Sequence, residues 1–510
     1  MARRLAGLAA SVALLVTPAP AGHAQEAVRI EDDIVVTSSD GTPIVATLML
    51  PAEASAASPV PVVMGTHGWA GSRATSPSGL AAGLLDRGYA ILTWDSRGFG
   101  ESGGEANVGA PGFEVEDAKT LLTYLAGRPE ILTDGPNDPR VGWIGGSNAG
   151  GVQLNTAAID DRVEAIVPEI SWGDLLRDLL PNDVPKQTWD IALYGAGLAT
   201  GTALGLQSPA GPQTGTYPPE IHQAFVETAG TGTVSQPIRD WFAFRSTTTR
   251  SSDIRAPTLI LQGTIDTLFP LEDGFDNYRN ILGNAPVKLI AYCSGHSLAG
   301  CPSPGGAGSL PGDRIMAWLD RYVKGLDVDT GPRIEWQAQD GTYHGAGRWP
   351  LPGTKRRAGV PLITGTLIGP GPGGGDGPAD GEPAPASELG VTAAREPVFG
   401  PLTGPKAIVG IPAARLQGTV TGLRGFVFLE LVDVGPDGTR TTINDQVMPV
   451  ALDGGTVDRA VDLHGIAWRL EPGHVLELEV TTGSTQYSTP RTGSFAVSLT
   501  ATVDLPVSPA

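Results

Sequence analysis

The sequence predicts a mixed α/β fold built on a mostly parallel sheet, followed by a separate all-β domain. Over the first two thirds of the chain, short apolar runs typical of buried strands alternate with amphipathic helical segments. That alternation favours parallel strands connected through helices. Later, the helical patterns stop and short alternating segments are separated by turn residues. With 510 residues, of which 41% are hydrophobic, the chain is long enough for two or three domains.

The α/β domain is predicted at residues 25–170 and 251–345. It opens with a hairpin, because alternating runs flank the turn dipeptide Asp40-Gly41. The remaining elements follow in chain order: strands at 59–64, 90–94, 141–144, 163–168, 258–262 and 287–291, and helices at 80–86, 113–126 and 313–324.

Two segments depart from this alternation. Residues 171–250 carry several aromatic side chains and a stretch rich in Gly, Pro and Thr, and we expect them to form a helical cap inserted between two strands. Residues 361–395 are dominated by Gly and Pro and predict a linker. Residues 396–510 then follow as the all-β domain, with strands expected at 426–431, 475–480 and 495–503.

The amino-terminal residues 1–24 have the pattern of a signal peptide. Arg3 and Arg4 precede an apolar run of 12 residues, 5–16, which is too short to span a bilayer. Small residues at Gly22 and Ala24 suit cleavage before residue 25. We therefore expect an exported protein, extracellular or periplasmic, with both the Sec and the Tat export route left open.

The net charge indicates which classes of partner to expect, and the cysteines indicate a possible cross-link. The net charge of −20 disfavours binding to nucleic acid or to anionic lipid, and no later segment is apolar enough for a membrane span. The two cysteines are Cys293 and Cys301. Export makes a disulfide between them plausible, and it would close a small loop that carries His296.

The segment from Gly145 to Gly150 has the pattern of a turn that carries a reactive serine. It reads Gly-Gly-Ser-Asn-Ala-Gly, follows a predicted buried strand and precedes a helical segment. A serine on a glycine-rich turn between strand and helix is the arrangement called a nucleophile elbow in α/β-hydrolases. Ser147 is therefore the candidate nucleophile of a serine hydrolase. Its glycine lies at position +3, Gly150, instead of the more common +2.

A serine hydroxyl needs a histidine base, and the histidine needs a carboxylate to fix its tautomer. In this fold the chain order is serine, acid, histidine. Of the seven histidines, six lie in the signal peptide, before the serine, in the cap, or at and beyond the end of the α/β region, which leaves His296. Asp266 and His296 each follow a predicted strand. We expect both at the carboxyl edge of the sheet beside Ser147, as a catalytic triad.

An oxyanion hole requires two hydrogen-bond donors. One is predicted to be the backbone N–H of Asn148. The other is predicted in the loop at 66–71, from Trp69, through either its backbone or its indole N–H. His67 is interpreted as a support of this hole. Because the chain has no cysteine or histidine cluster at metal-ligand spacing, the expected chemistry needs no metal or cofactor.

These motifs together resemble the Xaa-Pro dipeptidyl-peptidase and cocaine-esterase-like family of serine hydrolases. The G-x-S-x-x-G elbow is that family's form, residues 94–102 resemble its D-x-R-G-x-G-x-S segment, and residues 429–438 resemble a strand and turn of its β domain. The resemblance implies an α/β-hydrolase domain, a helical cap and a C-terminal jelly roll. It also implies that Ser147, Asp266 and His296 act as nucleophile, acid and base. Trp69 stands where the family often has a tyrosine.

The sequence thus predicts an exported serine hydrolase that cleaves small-molecule or peptide esters or amides through an acyl-enzyme. An Xaa-Pro dipeptidyl aminopeptidase and a non-catalytic surface or carbohydrate-binding protein are the alternatives. Candidate cap carboxylates for an amine-recognising site are Asp174, Asp178 and Glu220, although solvated surface charges are the favoured interpretation of each. Substrate specificity and oligomeric state are left open.

Overall fold

The computed structural model describes residues 28–297, 300–358, 362–369, 393–484, 486–487 and 495–509. The predicted signal peptide and most of the predicted linker lie outside these residues. Among the described residues, no helix is long and apolar enough to cross a membrane.

A ten-stranded sheet forms the first layer of the fold, in the order β1-β2-β4-β3-β7-β8-β9-β10-β11-β12, while β5 and β6 pair separately. The strands are β1 (Arg29–Thr37), β2 (Pro43–Leu50), β3 (Val62–Thr66), β4 (Ala90–Trp94), β5 (Thr133–Gly135), β6 (Asp138–Pro139), β7 (Val141–Gly146), β8 (Ala165–Glu169), β9 (Thr258–Gly263), β10 (Val287–Tyr292), β11 (Ile334–Gln337) and β12 (Tyr343–Ala346). Neighbours from β4 to β11 are parallel and the outer pairs antiparallel. The predicted mixed α/β fold is confirmed.

Helices cover both faces of this sheet and fill the interval between β8 and β9. They are α1 (Gly79–Asp86), α2 (Glu114–Ala126), α3 (Asn148–Ala157), α4 (Leu175–Leu179), α5 (Gln187–Ala203), α6 (Pro219–Thr231), α7 (Gln236–Ala243), α8 (Leu271–Ile281) and α9 (Leu310–Tyr322). Helices α4 to α7 occupy the segment expected to form a cap. We call residues 171–250 the cap.

The central strands bury both of their faces, which explains their continuous apolar sequences. In β9, Ile260 packs into the core on one side of the sheet, while Leu259 and Leu261 pack into the core on the other side. The strand ends are therefore held firmly at the edge where the candidate site lies.

The C-terminal strands form a nine-stranded antiparallel sheet, which confirms the predicted all-β domain. They are β13 (Lys355–Ala358), β14 (Leu362–Gly369), β15 (Ala393–Phe399), β16 (Lys406–Gly410), β17 (Ala413–Val434), β18 (Arg440–Asp462), β19 (Ile466–Leu470), β20 (Val475–Thr481) and β21 (Phe495–Pro509).

Two expectations for this region need correction. Residues 362–369, placed in the linker of 361–395, form β14 and pair with β21, so the sheet begins before residue 396. The strand expected at 426–431 is the end of the 22-residue β17. Gly418 and Gly422 have φ of 154° and 114°, and the pairing with β18 shifts register after Val420. Such irregularities interrupt the alternating pattern without ending the strand.

Candidate active site

Ser147 lies between β7 and α3 in a strained conformation, with φ of 55° and ψ of −124°. Non-glycine residues adopt positive φ rarely, and they do so most often at functional sites. The glycine at +3 has a steric reason, because a Cβ on Gly150 would lie 2.6 Å from the Cβ of Ser171. A Cβ on Gly145 would likewise lie 2.7 Å from that of Ala149. Both glycines let α3 approach the sheet closely behind the serine.

The three predicted residues come together in one hydrogen-bonded chain. The hydroxyl of Ser147 lies 2.9 Å from Nε2 of His296, and Nδ1 of His296 lies 2.8 Å from Oδ2 of Asp266. Oδ1 of Asp266 accepts the backbone N–H groups of Leu268 and Phe269 at 3.0 and 2.7 Å. Asp266 is fully buried and Ser147 is 6% exposed. The serine therefore faces a base whose other nitrogen is fixed by a buried carboxylate.

The loop that carries His296 closes tightly against Asp266. Gly295 has φ of 132°, and a Cβ there would lie 2.5 Å from the Cβ of Asp266, so only glycine fits. A disulfide joins Cys293 to Cys301 and closes the loop. The imidazole also meets the edges of Phe269 and of Trp189 in the cap, at centroid distances of 5.3 and 6.0 Å. These contacts hold the ring toward the serine.

Two backbone N–H groups near Ser147 are free to donate. Asn148 begins α3, so its N–H has no acceptor within the helix. Within the described part of the chain, no hydrogen bond engages the N–H of Asn148 or of Trp69. Gly68, beside Trp69, lies over the serine, since a Cβ on it would come within 3.5 Å of the serine Cβ. The two residues predicted to donate in an oxyanion hole thus line the same cavity as Ser147.

Trp69 has two groups that can donate, its backbone N–H and its indole N–H, and their contacts distinguish them. The indole N–H donates to the backbone oxygen of Leu193 in α5, at 2.9 Å. The ring also stacks on Tyr217 and meets the edge of Phe99. The indole group is therefore committed to the cap, which leaves the backbone N–H as the available donor.

His67 supports the same loop. Its Nδ1 donates to the carbonyl of Gly68 at 2.7 Å, and its Nε2 accepts the N–H of Ser96 at 3.0 Å. Burial lowers its pKa, so the ring is neutral. With both nitrogens engaged, it anchors the loop to the end of β4.

An apolar cavity of about 120 Å³ opens directly above Ser147. Most of its lining comes from the cap and from the turn after Asp266, and it includes Trp172, Leu175, Leu179, Leu193, Phe225, Leu268 and Phe269. Trp69 separates it from a second cavity of about 660 Å³, which reaches Gly68, Gly146 and Leu204. Ser147 lines the apolar cavity, and its neighbour Gly146 lines the second one.

The apolar cavity contains one carboxyl group that the sequence analysis missed, Asp190 in α5. Burial raises its pKa to about 7, against the opposing effects of Lys186 and of a hydrogen bond from Thr228. Asp190 lies inside a helix among ordinary residues, so no local pattern distinguishes it.

The three cap carboxylates considered from sequence do not line this cavity. Asp174 caps α4, where it accepts the N–H of Arg177. Asp178 is buried beside Arg177 and lines a different cavity, at the boundary with the C-terminal sheet. Glu220 lies in the first turn of α6.

Comparison with known proteins gives two family matches. Residues 40–297 match the family described as X-Pro dipeptidyl-peptidase (S15 family). Residues 327–502 match the X-Pro dipeptidyl-peptidase C-terminal non-catalytic domain. Among curated relatives, the first match is 32% identical over 114 residues, and the chain spans only 38% of that relative's length.

Three solved structures share the whole architecture. An aminopeptidase from a marine sediment archaeon, Thaumarchaeota archaeon, has a TM-score of 0.69 and 15% identity, with 98% of this chain and 99% of that chain covered. A CocE/NonD family hydrolase from Staphylococcus aureus has a TM-score of 0.67 and 13% identity, with 94% of each chain covered. An α-amino acid ester hydrolase has a TM-score of 0.67 and 14% identity, with 96% of this chain and 98% of that chain covered. At these identities the likeness establishes the fold alone.

The family match covers half of the chain and includes all the residues of the hydrogen-bonded chain at Ser147. The fold agrees with the CocE/NonD structures over nearly the full length. The chain belongs to the X-Pro dipeptidyl-peptidase (S15) family.

Proposed function

We propose that the protein hydrolyses carboxylic esters with apolar acyl groups, through an acyl-enzyme on Ser147. The observation that carries this proposal is the hydrogen-bonded chain from Ser147 through His296 to Asp266, which opens onto an apolar cavity. Apolar walls favour apolar substrates because binding removes apolar surface from water.

In this mechanism His296 accepts the proton of Ser147 as Oγ attacks the substrate carbonyl. The backbone N–H groups of Asn148 and Trp69 donate to the developing oxyanion. His296 then protonates the leaving oxygen, the alcohol departs, and a water molecule deprotonated by the same ring hydrolyses the acyl-enzyme. Asp266 accepts the hydrogen bond from Nδ1–H throughout, without taking the proton, and stabilises the imidazolium. The acyl chain occupies the apolar cavity, and the leaving group faces the larger cavity beyond Trp69.

A second candidate is an aminopeptidase that acts on Xaa-Pro peptides with the same three residues. The family description and Asp190 favour it, because a carboxylate in the cavity could pair with a substrate amine. Aryl or short-chain esters compared with Xaa-Pro anilides distinguish the two candidates by their kcat/KM.

We also propose that the enzyme acts outside the cytoplasm. This rests on the signal-peptide pattern of residues 1–24 and is compatible with the disulfide between Cys293 and Cys301. Mass spectrometry of the amino terminus, from culture medium and periplasm, tests it.

The catalytic assignment is tested with a fluorophosphonate probe and a panel of esters. We expect covalent labelling of the wild-type protein, none of Ser147→Ala, and a kcat lower by about 10⁴-fold or more in His296→Ala. Asp453→Ala, at an exposed carboxylate of the C-terminal sheet, is the control. Labelling that persists in Ser147→Ala would overturn the assignment, and complete absence of labelling would favour a non-catalytic surface or carbohydrate-binding protein.

A further inference from the structure

We propose that Gln446, in the C-terminal sheet, is a positioning residue for Asp266, so that this domain forms part of the catalytic apparatus. The proposal rests on the proposed function of Asp266 as the catalytic acid. It assigns a role in the reaction to a domain whose family description is non-catalytic.

Asp266 begins a tight turn, residues 266–269, which we call the acid turn. Three buried side chains from three parts of the molecule donate to its backbone oxygens. Gln446 Nε2 donates to the oxygen of Asp266 at 2.8 Å. Lys186 of the cap donates to those of residues 267 and 268, at 2.8 and 2.9 Å. Gln262, at the end of β9, donates to that of residue 269 at 2.7 Å. Every carbonyl of the turn is thus held.

The shape of the acid turn sets the direction of the catalytic carboxylate. Oδ1 of Asp266 is fixed by N–H groups inside the turn, so Oδ2 reaches His296 only while the turn keeps its conformation. Gln446 holds the backbone of Asp266 itself and is only 6% exposed. Removing its donor leaves a buried carbonyl unpaired, and the turn can relieve this by moving.

A distorted stretch of β18 aims Gln446 at the turn. On the β17 side, Glu430 pairs with Val447 and Val432 pairs with Thr442, so residues 443–446 of β18 oppose a single residue. Within that bulge, Asn444 and Asp445 have φ of 56° and 57°. Bulges redirect side chains, and paired left-handed residues carry strain that a function can explain.

Further contacts lie at the same boundary between the α/β domain and the C-terminal domain. Ser297, next to the catalytic histidine, donates to Asp445 at 3.4 Å. His464 Nδ1 and the N–H of Gly465 both donate to Glu272 in the first turn of α8, each at 2.7 Å. Because α8 follows the acid turn directly, the C-terminal sheet contacts both sides of the catalytic acid.

The test is Gln446→Met in the full-length protein, because methionine keeps the length of the side chain and removes the donor. A 1 Å displacement in an active site can cost ~100-fold, so we expect kcat to fall by about 10- to 100-fold with KM unchanged. We also expect the acidic limb of the pH profile of kcat/KM to move to lower pH, because a displaced Asp266 stabilises the imidazolium less.

Gln417→Met is the matched control, because Gln417 is an exposed glutamine of the same sheet. We expect it to leave both kinetic parameters and the pH profile unchanged. Gln446→Glu distinguishes loss of the donor from misfolding, because a protonated glutamic acid can donate to the same carbonyl. Its kcat relative to Gln446→Met should rise as the pH falls.

The outcomes separate this inference from the proposed function. If Ser147→Ala is inactive but Gln446→Met keeps the wild-type kcat and pH profile, Gln446 does not position the acid and the inference alone fails. If Gln446→Met loses activity only in proportion to loss of folded protein, measured by circular dichroism, with an unchanged pH profile, the inference also fails. If Ser147→Ala retains activity, the proposed function fails.

Discussion

At the scale of single residues, Asp190 is the one carboxyl group among the described residues that line the apolar cavity beside Ser147. It is a carboxyl group half-buried among leucine and phenylalanine side chains, and its pKa of about 7 places its titration in the physiological range. Lys186 and Thr228 are the charged and hydrogen-bonding groups that favour its ionised form. Below pH 7 the cavity is electrically neutral, and above pH 7 it carries a negative charge.

We expect the KM for an apolar acyl ester to rise by about five-fold between pH 6 and pH 8.5, roughly 1 kcal/mol of lost binding. An ionised Asp190 is solvated less well once an apolar chain fills the cavity. Steady-state kinetics across this range measure the change, and Asp190→Asn should show a flat KM. Equal pH profiles for the wild type and Asp190→Asn would contradict the prediction.

Sequence and structure agree best at the residues whose chemistry requires a fixed order. The proximity of Ser147, Asp266 and His296 could be predicted because each follows a buried strand, and parallel strands bring their ends to one edge. Gln446 could not be identified, because it lies 180 residues from Asp266 and its side chain donates to backbone oxygens, those of Asp266 and Thr264. A side chain that holds a carbonyl leaves no pattern in the sequence.

At the scale of elements, the loop from Cys293 to Cys301 determines where His296 lies. It leaves β10, carries His296 and is closed by the disulfide. Its attachment to the acid turn runs through the backbone oxygen of His296, which accepts from the N–H and the hydroxyl of Thr267 at 2.8 and 2.9 Å. Loop and turn therefore move together.

We expect reduction of the disulfide to lower the melting temperature and kcat together. Closing a loop of this size removes about 2–3 kcal/mol of unfolded-state entropy, and the same loop positions the base. Calorimetry and ester hydrolysis with and without dithiothreitol measure both effects. A Cys293→Ala/Cys301→Ala variant should not respond to reductant. A reduced wild type with unchanged melting and rate would contradict a role for the bridge.

The predicted elements are most accurate where strands are buried on both faces. β4 matches its predicted bounds of 90–94, because all its residues except Thr93 are apolar and buried between two layers of helices. The C-terminal strands were predicted less well, because long, bent strands such as β17 alternate irregularly at each bulge. The pairing of β14 with β21 joins segments that only the folded sheet brings together.

At the scale of the whole molecule, several buried carboxyl groups titrate near neutrality. Burial raises the pKa of Glu114, Asp273 and Glu430 to about 7, and of Glu164 to about 8. A carboxyl whose pKa is higher in the folded state stabilises the fold fully below its unfolded pKa of about 4, and this contribution is lost as the pH rises through the folded value. The net charge of −20 adds repulsion in the same direction.

We therefore expect the melting temperature to be higher at pH 6 than at pH 8.5, by about 2–4 °C for each kcal/mol of stability lost. Differential scanning calorimetry in buffers of matched ionic strength measures it. Glu430→Gln, which removes one of the titrating groups, should reduce the difference. A melting temperature that increases from pH 6 to pH 8.5 would refute this account.

The position of β21 has a consequence for the timing of synthesis. β21 is the last described strand in chain order, and it pairs with β17, which in turn pairs with the strand that carries Gln446. A chain made amino end first can complete its parallel sheet before β21 exists. On the proposed role of Gln446, a nascent chain that already contains the serine, the acid and the histidine is still a poor catalyst. Hydrolytic activity is then delayed until β21 has docked.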